Sequence, residues 1–260
     1  MRRARPPVGL LIPAVLALAL IVVPLIGLVQ RAPWSSLGDQ LSSHAVRQAL
    51  GLSLRCSLSA VGLSLVLGVP LAWMLARTSF PGRRLVRALV LVPMVLPPVV
   101  GGVALLYAFG RRGFAGHLLE RLTGITLAFT TNGAILAETF VAMPFLIIVV
   151  EAGLRQVDVR YEEAAATLGA GAWRRFWRVT IPLVFPSLAA GAALAWARAL
   201  GEFGATITFA GNLPGKTQTM PLAVYVALET SPDLAIVMSL ILLAISLVVL
   251  AGLRDRWLGA

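Results

Sequence analysis

Glu163-Ala164-Ala165-Ala166-Thr167-Leu168-Gly169, followed after nine residues by Val179-Thr180-Ile181-Pro182, is a polar island between two long apolar runs. Working outward from it in both directions, apolar stretches recur at roughly 8–29, 56–76, 86–109, 133–153, 180–202 and 234–253. Each approaches the ~20 residues that a helix needs to cross a ~30 Å hydrocarbon layer. The chain is 58% hydrophobic and 13% charged, with a mean hydropathy of +0.89, which excludes a soluble domain. These features predict an all-α polytopic membrane protein with six transmembrane helices. Residues 45–55 and 203–210 are apolar enough to extend the second and fifth spans.

The 22 Lys+Arg outnumber the 11 Asp+Glu, but their distribution does not describe a nucleic-acid-binding face. With both termini inside, 14 basic residues fall on the cytoplasmic side, among them Arg83, Arg84, Arg87, Arg174, Arg175 and Arg178, and seven fall outside. This is the positive-inside asymmetry. It predicts a multi-pass membrane protein with cytoplasmic N- and C-termini. The apolar run from Val8 to Val29 exceeds a signal-peptide core, and no small-x-small cleavage site follows, so an uncleaved first helix is expected. Cys56 is the only cysteine, which excludes an internal disulfide. His44 and His117 stand without neighbours at metal-ligand spacing, so no metal site is assigned.

Within the island, Asp158 suits a helix cap, and Glu162 and Glu163 suit the positive N-terminal end of a short helix. Ala164 to Ala166 favour helix and leave a slim face, and Gly169 suits a left-handed stop. Trp173, Phe176 and Trp177 read as an aromatic belt, with Arg174, Arg175 and Arg178 toward lipid headgroups. Elsewhere, Pro93, Pro97 and Pro98 interrupt the third span, where freed carbonyls need a neighbour or a watery cavity; Pro97 and Pro98 are therefore candidate pathway residues. The fifth span is lined with alanine and glycine, which points to close packing against the bundle or a second subunit.

The spacing of residues 155–182 resembles the EAA coupling loop of type I ABC importer permeases, with Val179 where isoleucine is more usual. The resemblance implies that Glu163 and Gly169 sit at the interface with a separate ATPase, and that Ala164, Ala165 and Leu168 pack into its groove. It further implies a pair of permease copies, most simply a homodimer, two cytoplasmic ATPase subunits that bind the ATP, an extracytoplasmic substrate-binding protein and surrounding lipid, with no cofactor on this chain and no nucleic acid. Residues 45–253 would form the importer transmembrane domain, 1–44 an N-terminal helix and outer loop, and 254–260 a short tail. The Gly211-Asn-Leu-Pro-Gly215-Lys216-Thr217 segment imitates a phosphate loop but has three residues between its glycines where four are required. No ATP hydrolysis is expected on this chain.

Arg198 and Glu202, four residues apart, are costly inside a membrane and are candidate pathway or gate residues; the plainer reading is an ion pair that locks the fifth helix. Glu138 in the fourth span carries the same two readings, and Glu151, near the inner end, reads as interfacial. Residues 198–206 and 211–222 together resemble the molybdate/tungstate permease branch, through Gly201-Glu202-Phe203-Gly204-Ala205-Thr206 and the Asn212–Pro214–Gly215–Thr217–Thr219 loop. Asn212 and Lys216 are candidate contacts for the binding protein. A sulfate or thiosulfate permease of the same fold is the alternative. An ion-coupled secondary transporter leaves the 163–182 loop without a purpose, and an intramembrane enzyme lacks a catalytic set.

Overall fold

The structure, a computed structural model, describes residues 8–257, so Arg2, Arg3 and Arg5 and the last three residues of the tail lie outside it. The described elements are all helical: α1 (Val8–Gln30), α2 (Leu37–Leu41), α3 (His44–Arg77), α4 (Arg83–Val95), α5 (Pro98–Phe109), α6 (Phe114–Thr123) and α7 (Thr131–Gln156). They continue with α8 (Arg160–Thr167), α9 (Ala172–Arg175), a π-helical turn (Phe176–Thr180), α10 (Ile181–Leu200), α11 (Gly204–Phe209), α12 (Met220–Thr230) and α13 (Pro232–Trp257). Among the described residues five helices are long and apolar enough to cross a membrane, and six spans result when α4 and α5 count as one.

That third span departs from the sequence expectation of a single kinked helix. Its halves meet at 117°. A proline drives the residue before it out of the helical region, and two in succession do so twice. Leu96 precedes Pro97 with ψ 135°, and Pro97 precedes Pro98 with ψ 134°. Pro98 then opens α5 at its first turn, where its missing N–H costs nothing.

The fifth span also stops short of the predicted extension. It ends at Leu200, and residues 204–209 form the separate helix α11. The second span does start early, at His44, capped by the Ser43 side chain, which accepts from the Val46 N–H. At 34 residues, α3 is about 51 Å long, well beyond the hydrocarbon layer. The sequence reading did not identify α12 as a short apolar helix.

Helices α3, α7 and α10 form the main core around Ala60, Ala72, Leu75, Leu146, Ile147, Val150, Ala195 and Ala199. Small residues set its spacing: a Cβ on Gly191 would lie 3.3 Å from the Leu146 carbonyl oxygen. The small-residue face of the fifth span thus packs within its own chain.

A second close approach joins α5 to α11. A Cβ on Gly204 would meet the Pro98 Cβ at 2.7 Å, and one on Gly102 would meet the Ala205 carbonyl oxygen at 2.8 Å. Gly204→Val is therefore expected to separate the two half-helices, with an overpacking cost of about 1–3 kcal/mol. A lower thermal midpoint of the detergent-solubilised protein checks it; an unchanged midpoint would mean the α5–α11 contact is not tight.

Candidate functional site

The polar island folds into α8 as its residue types demand. The Asp158 carboxylate accepts the Arg160 N–H at 2.9 Å, although α8 itself opens one residue later than a simple cap would place it. At the other end, the Gly169 N–H bonds the Ala166 carbonyl and the Ala170 N–H reaches back to Ala165, both at 3.0 Å. This double closure is a Schellman stop, and it requires the left-handed φ of +81° that Gly169 supplies.

Glu163, Ala164, Leu168 and Gly169 all face outward, and Ala165 is half-buried. Leu168 is 88% exposed, and no residue of α8 is fully buried. An exposed leucine at the end of a slim alanine face has the form of a helix made to enter a groove. The five residues named from sequence therefore share one short element, four of them on its open surface.

Glu162 behaves otherwise, and this the sequence reading missed. Its neighbour in sequence lies about 100° around the helix axis, so one glutamate faces out and the other in. Its Oε1 accepts a hydrogen bond from Thr180 Oγ1 at 3.1 Å and pairs with Arg77 Nη2 at 3.3 Å. Arg77 also donates to the Val157 carbonyl at 3.1 Å. Nearby, Glu151 pairs with Arg87 at 2.5 Å and with Arg155 at 2.6 Å, so its carboxylate ties α4 to α7. Arg83 donates to the Leu75 carbonyl across the α3–α4 turn. Arginines spread through the sequence thus converge on the end of the bundle that carries α8.

The aromatic residues beyond α8 pack on one another. Phe176 lies 6.1 Å from Trp173, 5.3 Å from Trp177 and 6.3 Å from Trp73 of α3. They line an apolar groove of about 620 Å³ between α3 and α9–α10, with Val69 and Pro70 on its far wall.

Arg198 and Glu202 do pair, Nη1 to Oε2 at 2.6 Å. Glu202 is 1% exposed, and its second oxygen accepts the Ala205 N–H at 2.9 Å, at the first turn of α11. It therefore joins α10 to α11 and supplies negative charge at the positive end of a helix, which favours the locking role named as the plainer reading. Glu138 is buried on α7, within electrostatic reach of Glu202 and Cys56. Pro97 and Pro98 form the break before α5 and lie against α11 through Gly204.

In the 211–219 loop, Thr217 is buried and its hydroxyl accepts the Leu213 N–H at 2.9 Å, so it cannot serve a phosphate. Thr131 Oγ1 donates to the Lys216 carbonyl at 2.8 Å, while the Lys216 side chain is exposed. Asn212 is half-buried. The loop rests on the α3 end remote from Arg77, where a Cβ on Gly215 would meet the Gln48 amide at 2.6 Å. Among the described residues no cluster of His, Cys, Asp and Glu could hold a metal.

Comparison with known proteins agrees with this architecture. The family model for the binding-protein-dependent transport system inner membrane component matches residues 68–259. The molybdenum transport system permease protein ModB of Mycobacterium tuberculosis is 43% identical over 245 residues, which cover 94% of this chain and 92% of the relative. The probable sulfate transport system permease protein cysT of Chlorokybus atmophyticus is 36% identical over 239 residues, 90% of this chain and 83% of the relative. Among solved structures, a bacterial alginate ABC transporter in complex with alginate pentasaccharide-bound periplasmic protein superposes with a TM-score of 0.73 at 20% identity, covering 95% of this chain and 92% of that one. With an all-α bundle, a family model that matches most of its length and relatives covered almost end to end, this chain belongs to the binding-protein-dependent transport system inner membrane components, with the transmembrane domain of an ABC importer.

Proposed function

We propose that the chain is the permease subunit of an ATP-driven molybdate importer, extending to tungstate. The observation that carries the substrate is identity together with coverage: 43% to the molybdenum permease over 92% of its length, against 36% and 40% to two sulfate permeases over 83% and 74% of theirs. The loop that resembles the molybdate branch is ordered by its own residues, through Thr217 and the left-handed Gly211 and Gly215.

In this reading two copies of the chain enclose the pathway, and two cytoplasmic ATPases bind the ATP. The α8 end of the bundle faces the cytoplasm and so do both termini. A substrate-loaded binding protein docks on the opposite side, where Lys216 and Asn212 are candidate contacts. Glu163, Ala164, Ala165, Leu168 and Gly169 form the surface that enters the ATPase. The physical basis is the exposure of α8 together with its place in the chain, after α7 and joined to α10 through α9 and the π-helical turn. When the ATPases close on nucleotide they draw the two α8 helices together, and α7 and α10 follow. Arg198 and Glu202 act as a lock between α10 and α11, and Pro97 and Pro98 set the bend that brings α5 against α11.

Uptake by the complete complex tests the substrate. Labelled molybdate is expected to enter, with tungstate competing and sulfate at the same excess leaving uptake intact. Competition by sulfate, with the complex intact, would move the chain to the sulfate branch.

A further inference from the structure

Helix α8 has an unusual attachment for an element that would carry force. It is eight residues long and buries none of its side chains. A glycine follows it at 169 and another at 171, and Gly169 has open space around its Cα. The Schellman closure at Gly169 ends the helix, and the covalent connection beyond it does not by itself fix how α8 sits against the bundle. One side chain fastens α8 to the bundle at a point distant in sequence on both sides.

That side chain is Glu162. It meets Arg77, the last residue of α3, and Thr180, the last residue of the π-helical turn that leads into α10. Arg77 in turn holds the carbonyl of Val157, which ends α7. The three helices that make the main core therefore converge, at one end, on a single carboxylate. The Arg77 and Glu162 side chains are 10% and 16% exposed, so water screens the pair less than it would a surface bridge. The π-helical turn adds a reason for Thr180 to face back: its wider register displaces the side chains that follow, and such turns concentrate at functional sites.

We infer that Glu162 is the positioning residue that transmits motion of α8 to the membrane helices, gripping α3 through Arg77 and α10 through Thr180. The inference rests on the proposed docking of the ATPase on α8, and adds a division of labour between adjacent glutamates. Glu163 faces the partner, and Glu162 faces the bundle. Loss of Glu162 would let α8 follow the ATPase while the core stays behind, so ATP would be spent without transport.

The test uses the full complex of permease, ATPase and binding protein in liposomes, with molybdate uptake and ATP hydrolysis measured together. Coupling free energies of ordinary size correspond to roughly 5- to 150-fold effects. Glu162→Gln and Arg77→Gln are expected to keep the ATPase bound and hydrolysing, while molybdate imported per ATP falls about tenfold. Thr180→Val removes one hydroxyl from the same node and is the milder variant, with an expected loss of about threefold. The exchanged pair, Arg77→Glu with Glu162→Arg, is expected to recover much of the coupling, which a general loss of stability would not allow. Wild-type import per ATP in both single-charge variants would overturn the inference. So would loss of ATPase binding in Glu162→Gln, because that residue would then belong to the docking surface. Leu168→Asp, run in parallel, reports on the docking reading alone: retained ATPase binding there would remove α8 as the site.

Discussion

Arg198→Met is expected to destabilise the protein by about 3 kcal/mol, the lower end of what removing one member of a buried ion pair costs. The two partners are unequal. Glu202 is 1% exposed and Arg198 28%, so the carboxylate is the one that cannot reach water if its partner is lost. With Arg198 gone, the Glu202 carboxyl would be left without its partner in the interior, beside the buried Glu138 carboxyl. With Glu202 changed to Gln, the arginine keeps a route to solvent along its flexible stem, and the amide oxygen can still accept the Ala205 N–H. The order of stability should therefore be wild type, then Glu202→Gln, then Arg198→Met. The double variant Arg198→Met with Glu202→Gln should recover most of the loss, because no isolated charge remains and the bond to α11 survives. Thermal unfolding of the four proteins in one detergent gives the cycle. An Arg198→Met midpoint equal to wild type would show that the pair does not hold α10 to α11, and would return both residues to the pathway.

Much of this was legible in the sequence, and the exceptions have distinct physical causes. Five spans follow from hydropathy, because lipid forces each backbone to satisfy itself within a helix. The end of α8 follows from Gly169, whose left-handed conformation appears where the spacing requires it. The third span follows from hydropathy and its interruption from Pro97 and Pro98, whereas the 117° angle between its halves depends on how each proline sets the residue before it. Helix α12 lay hidden as an apolar piece of 11 residues, too short to register as a span. The roles of Glu162 and Glu151 were out of reach for another reason. Their partners, Arg77, Thr180 and Arg87, are 85, 18 and 64 residues away in sequence or converge only after the bundle packs. Glu162 and Glu163 are identical in type and adjacent, so only a defined helix phase separates inward from outward. Arg198 and Glu202 lay between these extremes: their spacing foretold the pair, whereas the bond to Ala205 that gives it a locking role depends on how the chain turns back into α11.

Leu168→Asp is expected to abolish association with the ATPase while leaving the membrane protein as stable as wild type. Leu168 is 88% exposed, so its replacement removes no internal packing. Burying a leucine fully gives about 1.5–3 kcal/mol, and a carboxylate forced into the same groove would lose that and face a desolvation penalty as well. In the proposed assembly two such helices engage, which compounds the loss. Gly169 offers a second approach to the same surface that separates conformation from space. A Cβ at that position would meet nothing within 4 Å, so substitution is resisted only by the φ of +81°. Asparagine tolerates that region and valine does not, at a cost of roughly 1–2 kcal/mol for an ordinary L-residue. Gly169→Asn should therefore keep the Schellman stop and the ATPase, whereas Gly169→Val should unwind the last turn of α8, shift Leu168 and weaken association. Glu163→Lys reverses the outward charge without touching Glu162, and should also reduce binding. Co-purification of the ATPase with each variant, beside the thermal midpoint of the membrane protein alone, reads out both quantities. If Leu168→Asp and Gly169→Val both retain the ATPase at normal stoichiometry, the partner docks elsewhere, and the exposed face of α8 needs a different explanation.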